Sequence, residues 1–534
     1  MRTVNLTDFE GSRALDKLRA AADYLREHPA ATLLIPPGTY ILRDPEALKL
    51  REDVLAGAYG NAPSDSLYRP YHPYVKGLSC EGMEDVTISA YGATFLVDGF
   101  MEPVSVEHCR NVAIEGLTID HLRKPFSEGD IVRVDESAFD IRFDSRYPVN
   151  TAIPTMRVMV ADRASGRFYG GERCCGEKEW LGDNTLRFHA EPLPGMLGQR
   201  AVVPHTFHYR PAVLLREAKN TRLTDVTIHS QPGMGIVGMK AEDITIRRLR
   251  IVPSPGCRMS TNTDATNFAV CKGELVLEDC QFEGHGDDAI NVHGYYYDIL
   301  EADGNRCVAG NTFREFNHAQ VLETPDPGDI MELTVKDTLE ICRSYTVREV
   351  VPRPESLQFD LVLDEDLPGD TENYFLANAT RLPRLRFLNC HCGTHRARSV
   401  LAKTRDVLIE GCTFMDSTGP AIQVAAEGSW HESISAADVT IRRNRFLRSG
   451  SGWGPAILVN IDCAGEPAIS HRNLCIEDNL IDRKGMAGGI AVSAADGVLI
   501  RNNRICCDGE PIAVANSQRA ELENNQTCEV GTME

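Results

Sequence analysis

Short apolar strands recur along this chain, with inward and outward positions alternating: Val86-Thr87-Ile88, Val112-Ala113-Ile114, Ile244-Thr245-Ile246, Leu275-Val276-Leu277, Val407-Leu408-Ile409, Val439-Thr440-Ile441, Leu474-Cys475-Ile476 and Val498-Leu499-Ile500. Each reads as a half-buried strand. Taking the last apolar residue as a marker gives the series 88, 114, 223, 246, 277, 387, 409, 441, 476, 500 and 522. Several steps span 22 to 26 residues and others 31 to 35, as expected for one repeating coil with and without a loop insertion. Three residues after the later markers stand Cys280, Cys390 and Cys412, then Asn444, Asn479, Asn503 and Asn525. Two residues further an apolar side chain returns, at Ile119, Ile228, Ile251, Phe282, Phe414, Phe446, Ile481 and Ile505. Asparagine amides stacked at the ~4.8 Å strand spacing can bond from coil to coil. Cysteines at the same position read as small, soft side chains of the core rather than metal ligands.

These periods predict an all-β fold: a right-handed parallel β-helix, or solenoid. Ser12 is placed to cap a helix over residues 13–28, with Leu15, Leu18, Ala22 and Leu25 on one face. Such a helix would cover the open end of the stack. Two marker steps, 114 to 223 and 277 to 387, are about 110 residues long. Structureless loops of that length do not suit a compact domain. They are read as inserted β-subdomains resembling open barrels. The division expected is 1–120 for the cap and first coils, 121–212 for the first insertion, 213–294 for coils carrying the candidate chemistry, 295–383 for the second insertion, and 384–534 for the remaining coils.

Composition narrows the function. The 534 residues carry a net charge of −21, which disfavours nucleic acid as a partner. No apolar run reaches 18 residues, so no membrane partner is expected. The first eleven residues lack an apolar signal region. That gives the expectation of a cytoplasmic protein, or of an exported one whose leader has been trimmed. The 17 cysteines show no paired zinc spacing, and free thiols are expected. The sequence leaves homo-oligomerisation open.

The candidate chemistry lies in three aspartates. Asp264 stands in Thr263-Asp264-Ala265-Thr266, and Asp287 and Asp288 in Gly286-Asp287-Asp288-Ala289-Ile290-Asn291-Val292-His293-Gly294, about one coil later. If the surplus residues of this coil lie between Val252 and Asn262, all three occupy the same position of successive coils. Neighbouring strand residues face opposite ways, so Asp287 and Asp288 share a site only at a bend, for which Gly284 and Gly286 are placed. Crowded carboxylates cannot all be charged cheaply, so one is expected to hold a proton. An acid beside a base is what glycosidic hydrolysis needs. Spacing alone leaves turn chemistry and calcium binding open as well. Asn262, Asn291 and His293 flank the aspartates as sugar-binding candidates. Arg396, Arg398, Glu427, Trp430 and Glu432 follow the second insertion; Trp430 suits a sugar face and the charged groups its hydroxyls.

The Asp264 and Asp287-Asp288 blocks, with the run Glu278-Asp279-Cys280-Gln281-Phe282-Glu283-Gly284 between them, resemble the α-1,3-galactosidases of glycoside hydrolase family 110. The resemblance runs nearly the whole chain and is strongest in this central block. It implies a parallel β-helix with inserted barrel-like domains and an inverting mechanism without metal or cofactor. The substrate implied is a glycan ending in α-1,3-linked galactose, such as the blood group B antigen. By analogy with the more distant polygalacturonases, it implies Asp287 as general acid and Asp264 with Asp288 as the groups that activate water. Two other readings remain: a polygalacturonase- or lyase-like polysaccharide-degrading enzyme on the same scaffold, of which a lyase needs a Lys or Arg base, and a non-catalytic glycan-binding solenoid.

Overall fold

A computed structural model describes residues 2–68, 72–169, 176–312 and 323–527. Two long parallel sheets, of 13 and 12 strands, run along the molecule, and a third parallel face closes each coil. The apolar markers form a single row. Ile88 pairs with Ile114, Ile114 with Leu223, Leu223 with Ile246, Ile246 with Leu277, and Leu277 with Phe387. The row continues through Ile409, Ile441, Ile476 and Ile500 to Leu522. Ile119, Ile228, Ile251 and Phe282 align likewise on the second sheet. Because each strand pairs with its copy one coil away, inward side chains stack on inward side chains. One continuous apolar core results.

The helix at the N-terminal end spans Ala14–Glu27 and buries Leu15, Leu18, Ala21, Ala22 and Leu25 against the stack. Its cap differs from the expectation. Arg13, not Ser12, is the N-cap residue, and no side chain caps the helix. Arg13 instead pairs with Asp16 in the first turn. The cysteines also depart in one place: Cys506 is disulfide-bonded. Cys280, Cys390 and Cys412 are buried free thiols, as their ladder position requires.

Both long steps carry antiparallel sheet. Between the coils ending near His121 and starting at Val213 lies a six-stranded sheet with its own core of Ile131, Phe139, Ile141, Leu186 and Phe188. The second insertion starts as a continuation of a coil. The strand Ile290–Asp303 pairs in parallel with Thr266–Ala269, then turns antiparallel to Arg306–Gly310 and Tyr374–Asn378. Six strands close into a barrel, and its wall grows directly out of the coil that carries Asp287 and Asp288.

Candidate active site

The coil surplus falls where the sequence placed it. Arg247 and Glu278 are separated by 31 residues across neighbouring coils, whereas Asp264 and Asp288 are separated by 24. The seven extra residues precede Ser260, whose amide already bonds the Gly284 carbonyl in the shorter register. The register differs from the expectation in one respect. The Thr266–Ile290 pairing sets Asp264 level with Asp288, and Asp287 stands one position earlier. The chain bends at Gly286 and Asp287, so both carboxyls reach one side. Gly286 is needed there: a Cβ would sit 2.2 Å from the Asn262 carbonyl oxygen.

The three carboxyls converge, with one oxygen of each within 4.8 Å of the others. Asp264 accepts the Asp288 amide at 3.2 Å through one oxygen and the Asn267 side chain at 3.0 Å through the other. Asp288 is clamped by Arg398, whose Nε and Nη2 each donate at 2.8 Å and whose backbone amide donates at 2.9 Å. Asp287 accepts Arg396 Nη1 at 2.7 Å.

Charge is unevenly shared. Burial, then the charges of Asp288 and Asp287, push the Asp264 pKa well above the usual carboxyl value. Asp288 is raised too, by burial foremost, with Arg398 opposing. Burial acts on Asp287 as well, but Arg396, Arg157 and Arg398 outweigh it and hold Asp287 below the usual value. Asp264 and Asp288 therefore favour the protonated form more than Asp287 does. The acid role that the resemblance implies for Asp287 runs against this resting distribution.

The trio lies on the floor of a cavity of about 470 Å³. Asn291, Arg396, Arg398, Glu427 and Trp430, all chosen from sequence, line it together with Glu432. Asn262 and His293 do not. The Asn262 amide is spent on the Pro125 and Thr206 carbonyls, beneath the first insertion. His293 is buried, its ring edge-on to Tyr295 at 5.2 Å. Sequence reasoning missed Arg157, Phe207 and His208 from the first insertion, and Thr418 and Trp453 from later coils. Arg157 lies over the Phe207 ring at 3.8 Å and donates to the Gly286 carbonyl at 3.3 Å. It also missed Lys403, which is wholly buried beneath the cavity. Lys403 pairs with Glu427 at 2.7 Å and with Glu432. Burial alone would lower its pKa, but the two glutamates raise it above the usual lysine value and keep the ammonium charged. Glu427 and Glu432 are thereby held in place at the cavity wall.

The trio is also the one group of carboxylates, among the described residues, spaced to hold a metal ion. Arg396 and Arg398 already occupy that space with positive charge on Asp287 and Asp288. A divalent cation would compete with these two guanidinium groups for Asp287 and Asp288. Arg398 does not suit the base role of a lyase: burial would lower its pKa, but the carboxylates beside it outweigh that and raise it further.

No family model matches the chain. Among curated proteins it is similar to alpha-1,3-galactosidase A of Bacteroides fragilis, 28% identical over 542 aligned residues that cover 94% of this chain and 87% of that protein. It is also similar to alpha-1,3-galactosidase B of Akkermansia muciniphila, 27% identical over 92% of this chain and 64% of that protein. A third relative, alpha-1,3-galactosidase B of Bacteroides thetaiotaomicron, is 24% identical over 81% of this chain and 72% of its own length. Among solved structures, an exopolygalacturonase from Thermotoga maritima aligns over 98% of this chain and 91% of its own, at 10% identity and a TM-score of 0.47.

Proposed function

We propose that this protein is an exo-acting glycoside hydrolase that releases terminal α-1,3-linked galactose, with inversion, from glycans such as blood group B-type structures. The observation that carries the proposal is the convergence of Asp264, Asp287 and Asp288 in a cavity lined by tryptophans, with the Asp264 pKa pushed up and that of Asp287 held down. The names of the curated relatives supply the sugar and the linkage.

The division of labour follows from exposure. The Asp287 side chain is 20% exposed, against 2% for Asp288, so Asp287 is the carboxyl that a leaving oxygen can reach. Asp264, whose raised pKa favours a bound proton, has an oxygen within 4.8 Å of one on Asp287. A bound sugar expels water, raising the cost of the Asp287 charge, and the proton moves to Asp287. Asp287 then protonates the departing glycosidic oxygen. Asp264 and Asp288, level on adjacent coils, take a proton from the water that attacks the anomeric carbon.

One observation favours a second reading. Inverting carboxyls commonly stand about 6.5–9.5 Å apart and retaining ones about 5 Å apart, and one oxygen of each member of this trio lies within 4.8 Å of the others. Retention needs a carboxylate oxygen free to attack. Here both oxygens of Asp288 face Arg398, and both oxygens of Asp264 accept hydrogen bonds. A paired base also places the water on the pair, so the spacing within the trio does not measure the room available to it.

The test is galactose release from an α-1,3-linked disaccharide and from a fucosylated B-type trisaccharide, with and without a chelator. Free galactose, undiminished by the chelator, is expected. An unsaturated product absorbing in the ultraviolet, or no monosaccharide from either glycan, contradicts the proposal.

A further inference from the structure

Trp453 stands at the cavity lip, 46% exposed, in the segment Ser449-Gly450-Ser451-Gly452-Trp453-Gly454. A segment with three glycines in six residues loses much entropy on ordering, yet this one is fixed from beneath. Arg483, 1% exposed, donates to the carbonyls of Ser449 at 2.7 Å, Gly450 at 3.0 Å and Gly454 at 2.8 Å. It also donates to Ala487 at 2.5 Å and to Gly488. Five N–H donors meet five backbone carbonyls. An arginine buried for this purpose marks the loop as built to hold one shape.

The indole is seated as deliberately. A Cβ at Gly419 would lie 2.8 Å from Trp453 Cζ2 and 3.0 Å from Cε2, so the ring rests directly on that glycine. The Trp453 amide bonds the Thr418 carbonyl at 3.2 Å, and Thr418 bonds the His395 carbonyl at 3.2 Å, next to Arg396. Trp453 is therefore two coil steps from Arg396, the partner of Asp287, or about 10 Å. At the other end of the cavity the first insertion closes a wall with Arg157, Phe207 and His208, of which Arg157 is only 8% exposed. The walled end suits the terminal sugar of an exo-acting enzyme. The open aromatic end is where the rest of a glycan leaves.

We propose that Trp453 is the stacking platform for the sugar on the leaving-group side of the bond, and that Arg483 is the positioning residue that fixes this platform. The inference rests on the glycosidase reading above. It predicts a difference between two substrates: α-galactosyl fluoride, which has no sugar on the leaving side, and an α-1,3-linked galactobiose. Steady-state kinetics would be compared for the wild-type protein, Trp453→Ala, Trp453→Phe, Gly419→Ala and Arg483→Met. Trp453→Ala should raise the ratio of the disaccharide KM to the fluoride KM by about tenfold, the scale of one aromatic stacking contact. Trp453→Phe should restore most of that ratio. Gly419→Ala, whose added methyl displaces the indole, should raise the ratio in the same direction, as should Arg483→Met if it folds. An unchanged ratio in both Trp453→Ala and Gly419→Ala overturns the platform while leaving the glycosidase reading intact. A wild-type protein that acts on neither of these substrates, nor on the fucosylated B-type trisaccharide, overturns both.

Discussion

Two rows of polar side chains cross the coils of this solenoid at the same spacing, and they behave in opposite ways. In the C-terminal coils Asn444, Asn479, Asn503 and Asn525 form a ladder, the first three amides each donating to the next side-chain oxygen at 2.9 to 3.1 Å. Each also donates to a marker carbonyl and accepts a backbone amide from the preceding coil. An amide is both donor and acceptor, so such a row satisfies itself. In the central coils Asp264 and Asp288 stand level with Arg398 in the next coil. Carboxylates only accept, so arginines balance this row, and burial among like charges pushes the Asp264 pKa up. The same scaffold thus makes an inert ladder from a neutral group and a poised site from a charged one.

The largest test of this contrast removes the reachable carboxyl. Asp287→Asn should lower galactose release by about 10³-fold or more, with a melting temperature close to wild type because the side chain is partly exposed. Near-normal turnover would remove Asp287 from the reaction. The converse change converts the inert row into a charged one. Asn479 is 2% exposed. Asn479→Asp should cost on the order of 3 kcal/mol at neutral pH in urea unfolding, from lost donors and a buried charge. That loss should shrink under acid conditions, where the new carboxyl is protonated. Equal destabilisation at every pH would contradict the explanation.

A smaller effect concerns Asp264. Its folded pKa is raised, so the folded state binds more protons than the unfolded one above about pH 4. Its contribution to stability is full below that value and is lost as pH rises through its folded pKa. Asp264→Asn should flatten this part of the stability profile and gain stability relative to wild type as pH increases. An unchanged slope would place the proton elsewhere. The smallest effect lies in the cysteine half of the ladder. Cys412 donates to the Phe387 and Glu410 carbonyls at 3.4 and 3.3 Å and accepts the Cys390 amide. Cys412→Ala should cost about 1 kcal/mol, well below the asparagine change.

The fold was legible because its signal repeats. Every marker from Ile88 to Leu522 pairs with its neighbour in the series, since a one-residue slip would turn a strand's apolar side outward. The aspartates were legible because they sit on that same count. What was missed breaks the count. Arg157, Phe207 and His208 come from the first insertion, whose strands have no coil register, and Lys403 looks like any strand lysine until Glu427 and Glu432 close around it. Trp453 carried a weak signal, a tryptophan among glycines. Asn262 and His293 were chosen for closeness in sequence, but near a bend one step along the chain changes which side a residue faces.

The most direct test of the account is the anomer first released from an α-1,3-linked galactobiose, followed by proton NMR before mutarotation. Inversion by a paired base predicts β-galactose as the first product. α-Galactose appearing first would contradict it, and would mean that one of the three aspartates attacks the sugar itself.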